Sequence, residues 1–145
     1  MAEVKSTTGK RIDEGGVNHP AHYNTDISGV ECIEVVRHMD FNLGNAFKYL
    51  FRAGRKISES ISDVEAEIKD LQKAIWYLKD ERNNVKALDP RLHPRKFYEE
   101  KMILVINSRE GNIKQAMMLL DQGYFEMAMS AIEDEIESLK AKNGI

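Results

Sequence analysis

Between Phe41 and Ile57 the sequence reads FNLGNAFKYLFRAGRKI, with the cations Lys48, Arg52, Arg55 and Lys56 and no Asp or Glu. At helical spacing these four residues and Asn45 share an arc of about 100°, opposite the apolar side of the segment. Lys48 to Lys56 covers about 12 Å of helix axis, comparable to a polyphosphate chain. Like charges four residues apart repel, so a solvated helix face ordinarily mixes signs. Four cations without a local acid therefore need an anionic partner. Phosphate is one candidate, since arginine offers it a fork of donors and lysine a point charge. The other is the stripe of Asp63, Glu67 and Asp70 further along the chain, in which case ion pairs simply tie two helices together.

The acidic residues suggest a second chemistry. Glu31 and Glu34, and Glu67 and Asp70, are three residues apart, so each pair projects from one helix face. Mg²⁺ favours carboxylate and phosphate oxygens, which makes Glu34, Glu67 and Asp70 the candidate metal ligands. The two pairs resemble the acidic motifs of all-helical nucleoside triphosphate pyrophosphohydrolases of the MazG type. The plainer reading is exposed helical charge, and Glu31 has capping-box spacing from Ser28. His19 and His22 flank Pro20 in NHPAHY. No cysteine or third histidine completes a zinc set beside them, so hydrogen bonding to a ligand or a helix end is the expected role. His38 reads as a surface or helix-end residue, and His93 receives no role. The single cysteine, Cys32, lies among Val30, Ile33, Val35 and Val36 and reads as a small buried apolar residue. One cysteine excludes a disulfide framework within the chain.

These groups must be positioned by helices. Ser28 to about Met39 reads as a first helix and residues 41–57 as a second, with Leu43, Ala46, Phe47, Leu50, Phe51, Ala53 and Ile57 on its apolar side. A third runs from a Ser62–Glu65 capping box to about Arg82. Its Val64, Ile68, Leu71, Ile75 and Leu78 form a narrow seam for another helix, in this chain or a second copy. Pro90 and Pro94 mark residues 84–95 as a linker. Three further helices are expected, at about Lys96–Ser108, Asn112–Asp121 and Tyr124–Lys142. MILVI at 102–106 could pass for a strand, but its flanks favour helix. The methionines at 102, 117, 118, 127 and 129 read as core, and EDEIES from Glu133 as a solvated face. The fold class is all-α. Residues 1–16 form a disordered lead-in, 17–83 a compact helical domain, and 96–145 a helical extension that packs on that domain or on a second subunit.

The 145 residues are 42% hydrophobic and 31% charged, with a net charge of −3. A core can form, and the mild acidity argues against a general nucleic-acid-coating protein. No apolar run approaches the roughly 20 residues that span a bilayer, and the first residues lack a signal core. A cytoplasmic protein is expected, without membrane partners. The seam and the methionine-rich segment lead to the expectation of a homo-oligomer.

NHPAHY, then Ile33–Glu34, then GNAFKYLFRAGRK from Gly44, then DLQKAIWYL from Asp70, together resemble a small phage-encoded family. That family includes a nucleotide kinase without a P-loop that phosphorylates deoxynucleoside monophosphates. The resemblance covers about residues 16–83, a little under half of the chain. No G-x-x-x-x-G-K-[ST] occurs here either. By position, the resemblance implies His19, His22, Tyr23, Asn45, Lys48, Arg52 and Lys56 as nucleotide-binding residues, and Asp70 and Lys73 as catalytic ones. Arg55 joins the phosphate set from the shared helix face. The resemblance implies a nucleotide partner, with Mg²⁺ assisting, and the host cytoplasm if the chain is phage-encoded. The chain departs from that kinase in lacking a long N-terminal extension and in adding residues 96–145. Four readings follow: a kinase-like phosphotransferase, a Mg²⁺-dependent nucleotide pyrophosphohydrolase, a non-enzymatic protein that sequesters a nucleotide or nucleotide signal, and a helical oligomer whose charges are structural.

Overall fold

In the computed structural model, residues 26–53, 55, 59–84 and 95–145 are described, and every regular element among them is helical. The expectations for residues 1–16, for the NHPAHY loop with His19, His22 and Tyr23, for Lys56 and for most of the linker with His93 lie outside the described residues.

The first helix, α1, spans Cys32–Val36 and is shorter than the periodicity predicts. The expected Ser28 cap is replaced by a turn. The Ser28 backbone N–H donates to Asp26 (3.0 Å), and the Ser28 hydroxyl also donates to that carboxylate. Ser28 is thereby committed to Asp26, as Asp-initiated turns require. Glu31 becomes the N-cap, in a reciprocal capping box with Glu34, whose carboxylate accepts the Glu31 N–H at 2.8 Å. Cys32 and Val35 are buried, as the apolar reading of Cys32 expects.

Helix α2 spans Phe41–Ala53. Asp40 starts it, its carboxylate accepting the Leu43 N–H at 2.8 Å, one of the donors a helix start leaves open. Ala46, Phe47, Leu50, Phe51 and Ala53 are buried, and Leu43 is half-buried. Helix α3 spans Ile61–Asn84. Ser60, not Ser62, is its cap: the Ser60 hydroxyl accepts the Asp63 N–H at 3.1 Å, and the Asp63 carboxylate accepts the Glu59 N–H. The Ser–Glu spacing at 62–65 sits two residues too far along.

A 3₁₀ turn at Arg95–Phe97 leads into α4 (Glu99–Asn107), α5 (Gly111–Gln122) and α6 (Phe125–Asn143). MILVI is helical, with Met102, Val105 and Ile106 buried and Ile103 and Leu104 exposed, the periodicity of a helix lying on a core. Gly123 closes α5 at φ 85°, where a side chain would be strained. Arg95 pins the entry to this half, with one guanidinium nitrogen 2.6 Å from the nearly buried Asp121 carboxylate.

Helices α2 and α3 form an antiparallel hairpin. Phe41 meets Tyr77 at one end and Arg52 meets Asp70 towards the other. Helix α6 packs on both α5 and α3, α5 on α2, and α4 on α1. The C-terminal segment therefore shares one core with the hairpin instead of forming a separate unit. Val64, Ile68, Leu71 and Leu78 are buried and Ile75 partly so. The seam that prompts the expectation of an oligomer is closed within one chain. Met102, Met117 and Met129 are core, Met118 is partly buried and Met127 is exposed. No described helix is long and apolar enough to cross a membrane.

Candidate functional site

The polar face of α2 turns towards α3, and three cations from the two helices gather around one ring. Lys48 Nζ lies 4.6 Å from the centroid of Tyr49, Lys73 Nζ 5.4 Å and the Arg52 guanidinium carbon 5.9 Å. A ring face attracts cations at these distances. Lys48 Nζ also donates to Asn45 Oδ1 at 3.2 Å, and Asn45 Nδ2 donates to the Phe41 carbonyl at 2.8 Å. The helical period brings Asn45, Lys48, Tyr49 and Arg52 to this side of α2, while Asp70, Lys73 and Tyr77 occupy successive turns of α3. Tyr49 stacks on Tyr77 with centroids 6.2 Å apart and planes at 17°.

The acids expected to answer these cations do so in part. Asp70 is 5% exposed, and an oxygen of it lies 3.6 Å from an Arg52 nitrogen, while the Arg52 side chain stays 44% exposed. That is a loose ion pair on an accessible cation, the kind worth little to stability. Glu67, one turn earlier, is also buried. Among the described residues, Lys48 and Lys73 make no ion pair with a carboxylate.

Two of the expected site residues lie apart from this gathering. Arg55 does not join the gathering: its Nε lies 3.2 Å from Asp26 Oδ1, with the Arg55 side chain 15% exposed and that of Asp26 1% exposed. The helix ends at Ala53, so the regular angle that places Arg55 beside Lys48 no longer applies. Glu34 does not join Glu67 and Asp70 either. Lys101 Nζ donates to it at 2.7 Å, and this bond, with the Glu31 N–H, holds its carboxyl below the ordinary range. No group of three or more His, Cys, Asp or Glu that could hold a metal occurs among the described residues.

Three features escape a reading of spacing. Tyr49 and Tyr77 organise the cations, and the only signal was their place one residue after Lys48 and four after Lys73. Asp26 and Arg109 pair across most of the chain. At the start of α2, Asp40 and Glu81 meet: Asp40 Oδ2 and Glu81 Oε1 are buried, each lacking a donor. Burial, the Asp40 carboxylate beside it and the nearby Asp80 charge push the Glu81 carboxyl up to about 7, so Glu81 keeps its proton below that pH. Asn42 Nδ2 donates to Asp80 at 2.8 Å and closes the cluster.

The fold and this face together define an all-α protein whose central hairpin carries a cation-ringed tyrosine pair. Residues 17–79, a little under half of the chain, match a family model described as a protein of unknown function, DUF3310. The match covers α1, α2 and most of α3 and stops before the C-terminal helices. No curated protein and no solved structure gives a match.

Proposed function

We propose that the α2–α3 hairpin binds the phosphates of a nucleotide, and that the protein is a nucleotide kinase-like phosphotransferase. One observation carries this reading: Lys48, Arg52 and Lys73 converge from two helices, and among the described residues the one carboxylate that pairs with them is Asp70, loosely placed on Arg52. A structural ion-pair network would match each cation with an acid. Here positive charge is in excess and accessible, as an anion site requires.

In this reading Arg52 forks the phosphoryl oxygens, and Lys48 and Lys73 neutralise charge from either side. Asp70 acts as a positioning residue that holds the Arg52 guanidinium. Phosphoryl transfer depends on alignment and charge stabilisation more than on covalent chemistry, so no nucleophile is needed from the chain. Glu67 and Asp70, buried one turn apart on α3, are oxygen donors of the type Mg²⁺ takes. When bound, Mg²⁺ supplies further charge neutralisation on the phosphates. The engagement of Glu34 by Lys101 favours transfer, or binding alone, over a hydrolase built on three carboxylates.

The test is calorimetric titration with a panel of deoxynucleotides and Mg²⁺, with chromatography of the products. Phosphate transfer supports the kinase-like reading. Pyrophosphate release indicates the hydrolase, and binding without turnover indicates sequestration. Arg52→Ala is expected to weaken nucleotide binding by about 1–3 kcal/mol, the scale of a charged hydrogen bond. Unchanged affinity in Lys48→Ala, Arg52→Ala and Lys73→Ala, with helicity intact, overturns the phosphate site.

Asp70→Asn keeps the shape and removes the charge. Turnover is expected to fall at least tenfold while the circular dichroism spectrum and thermal midpoint stay near wild type. A large drop in the midpoint assigns Asp70 to structure instead, since a cation on this face would lose its partner. Full activity at normal stability rejects both roles.

A further inference from the structure

We infer that the exposed aromatic edge of the same hairpin, Phe41 and Trp76 backed by Tyr77, is the platform on which the base of the bound nucleotide stacks. The inference rests on the phosphate-site reading and adds the other half of the ligand.

Phe41 is 74% exposed and Trp76, the single tryptophan, is 60% exposed. Scattered exposed apolar residues are ordinary, but these two are joined. The Trp76 ring meets Tyr77 edge-on at 5.1 Å, and the Phe41 ring meets the same tyrosine at 5.8 Å and 70°. Tyr77 in turn stacks on Tyr49, the ring that Lys48, Arg52 and Lys73 surround. A continuous series of rings therefore leads from an open aromatic edge to the excess positive charge. Between them on α2, Asn45 accepts from Lys48 and donates to the backbone carbonyl of Phe41.

The chemistry of the occupant follows from this juxtaposition. An apolar protein partner would not account for the adjoining cations, and a free phosphate would not account for the rings. A nucleotide has a flat π-face at one end and anionic oxygens at the other. Phe41 and Lys48 are separated by about 10 Å along α2, the scale of a nucleoside phosphate laid along the helix. Stacking on ring faces is tolerant of base identity, because every base has a π-face. The platform thus predicts weak discrimination among bases, with purines favoured by their larger face.

The experiment uses the full chain and its own fluorophore. The emission of Trp76 is titrated with dAMP, dCMP and inorganic pyrophosphate, with calorimetry in parallel. Both nucleotides are expected to change the emission on binding, dAMP more than dCMP, whereas pyrophosphate binds without doing so. Trp76→Ala is expected to weaken dAMP about tenfold and leave pyrophosphate affinity unchanged. Trp76→Phe restores most of the loss. Phe41→Ala weakens dAMP similarly, with the Trp76 emission of the free protein reporting that the hairpin is intact.

If dAMP and pyrophosphate bind but the emission stays flat and Trp76→Ala binds dAMP normally, the platform is overturned and the phosphate site stands. Equal loss of pyrophosphate and dAMP in Trp76→Ala also overturns it, as damage to the cation face. An emission that changes on diluting the free protein, together with dissociation of Trp76→Ala in light scattering, assigns the edge to a second copy of the chain instead. If neither probe binds, both readings fall.

Discussion

Asp26→Asn is expected to lower the unfolding free energy by about 3–5 kcal/mol at neutral pH, the cost of leaving a buried charge without its partner. Asp26 Oδ1 is 2.9 Å from an Arg109 nitrogen, and the two side chains are 1% and 2% exposed. The same guanidinium donates to the Phe51 carbonyl at 3.0 Å and lies 4.8 Å from the Phe51 ring centroid. Arg55 approaches Asp26 from the end of α2 at 3.2 Å. One carboxylate thus faces two guanidinium groups, and neutralising it leaves like charges side by side in the core. Burial raises the Asp26 carboxyl, but hydrogen bonds from Arg109 and Ser28 outweigh it and hold the group below its ordinary range. A carboxyl lowered by folding stabilises the protein above its unfolded pKa, and that contribution is lost as pH falls through the folded value. Urea unfolding at neutral pH measures the effect. Because the partners are coupled, Asp26→Leu with Arg109→Leu should cost less than the sum of the single changes. A single Asp26→Asn change that costs under about 1 kcal/mol would contradict this account.

The second large effect has the opposite pH sign. Glu81 is 7% exposed, and folding raises its carboxyl from 4.5 to about 7. Between those values the folded protein holds a proton that the unfolded chain releases. The resulting stability is fully present below the unfolded pKa and is lost as pH rises through the folded one. At one pKa unit per 1.36 kcal/mol, the wild-type protein should lose about 3 kcal/mol between pH 4.5 and pH 8 from this group. Glu81→Gln keeps a donor towards Asp40 without a titrating proton. It should be more stable than wild type at pH 8 and flatten the decline above pH 5. Unfolding curves at pH 5, 6, 7 and 8 decide the matter, and parallel profiles for the two proteins would rule out a proton retained by Glu81. The acid-side loss tied to Asp26 and Glu34 should persist in the variant.

Much of the architecture was legible because helices announce themselves locally. The apolar residues of 41–57, the 4-3-4-3 seam from Val64 and the glycine at 123 each reflect a period or a backbone conformation that near neighbours dictate. Helix starts were less legible. Ser28 and Ser62 both have capping-box spacing, but each loses to a competitor, Glu31 and Ser60 respectively. The nearby turn geometry chooses between acceptors that spacing ranks equally.

The candidate site divides in the same way. The sequence by itself determined that Asn45, Lys48 and Arg52 share a face, since one helix and its 3.6-residue period are enough to align them. It also placed Asp70, Lys73 and the adjacent Trp76 and Tyr77 along one helix. Only the tertiary structure decided what those faces meet. Packing α2 against α3 put Lys73 and Arg52 around Tyr49. The end of α2 at Ala53 released Arg55 to Asp26, and α4 carried Lys101 to Glu34. These pairings join residues far apart in the chain, such as Asp26 with Arg109 and Asp40 with Glu81. Helical periodicity orders side chains along one helix but does not set the register between two, and it is that register that selects each charge's partner.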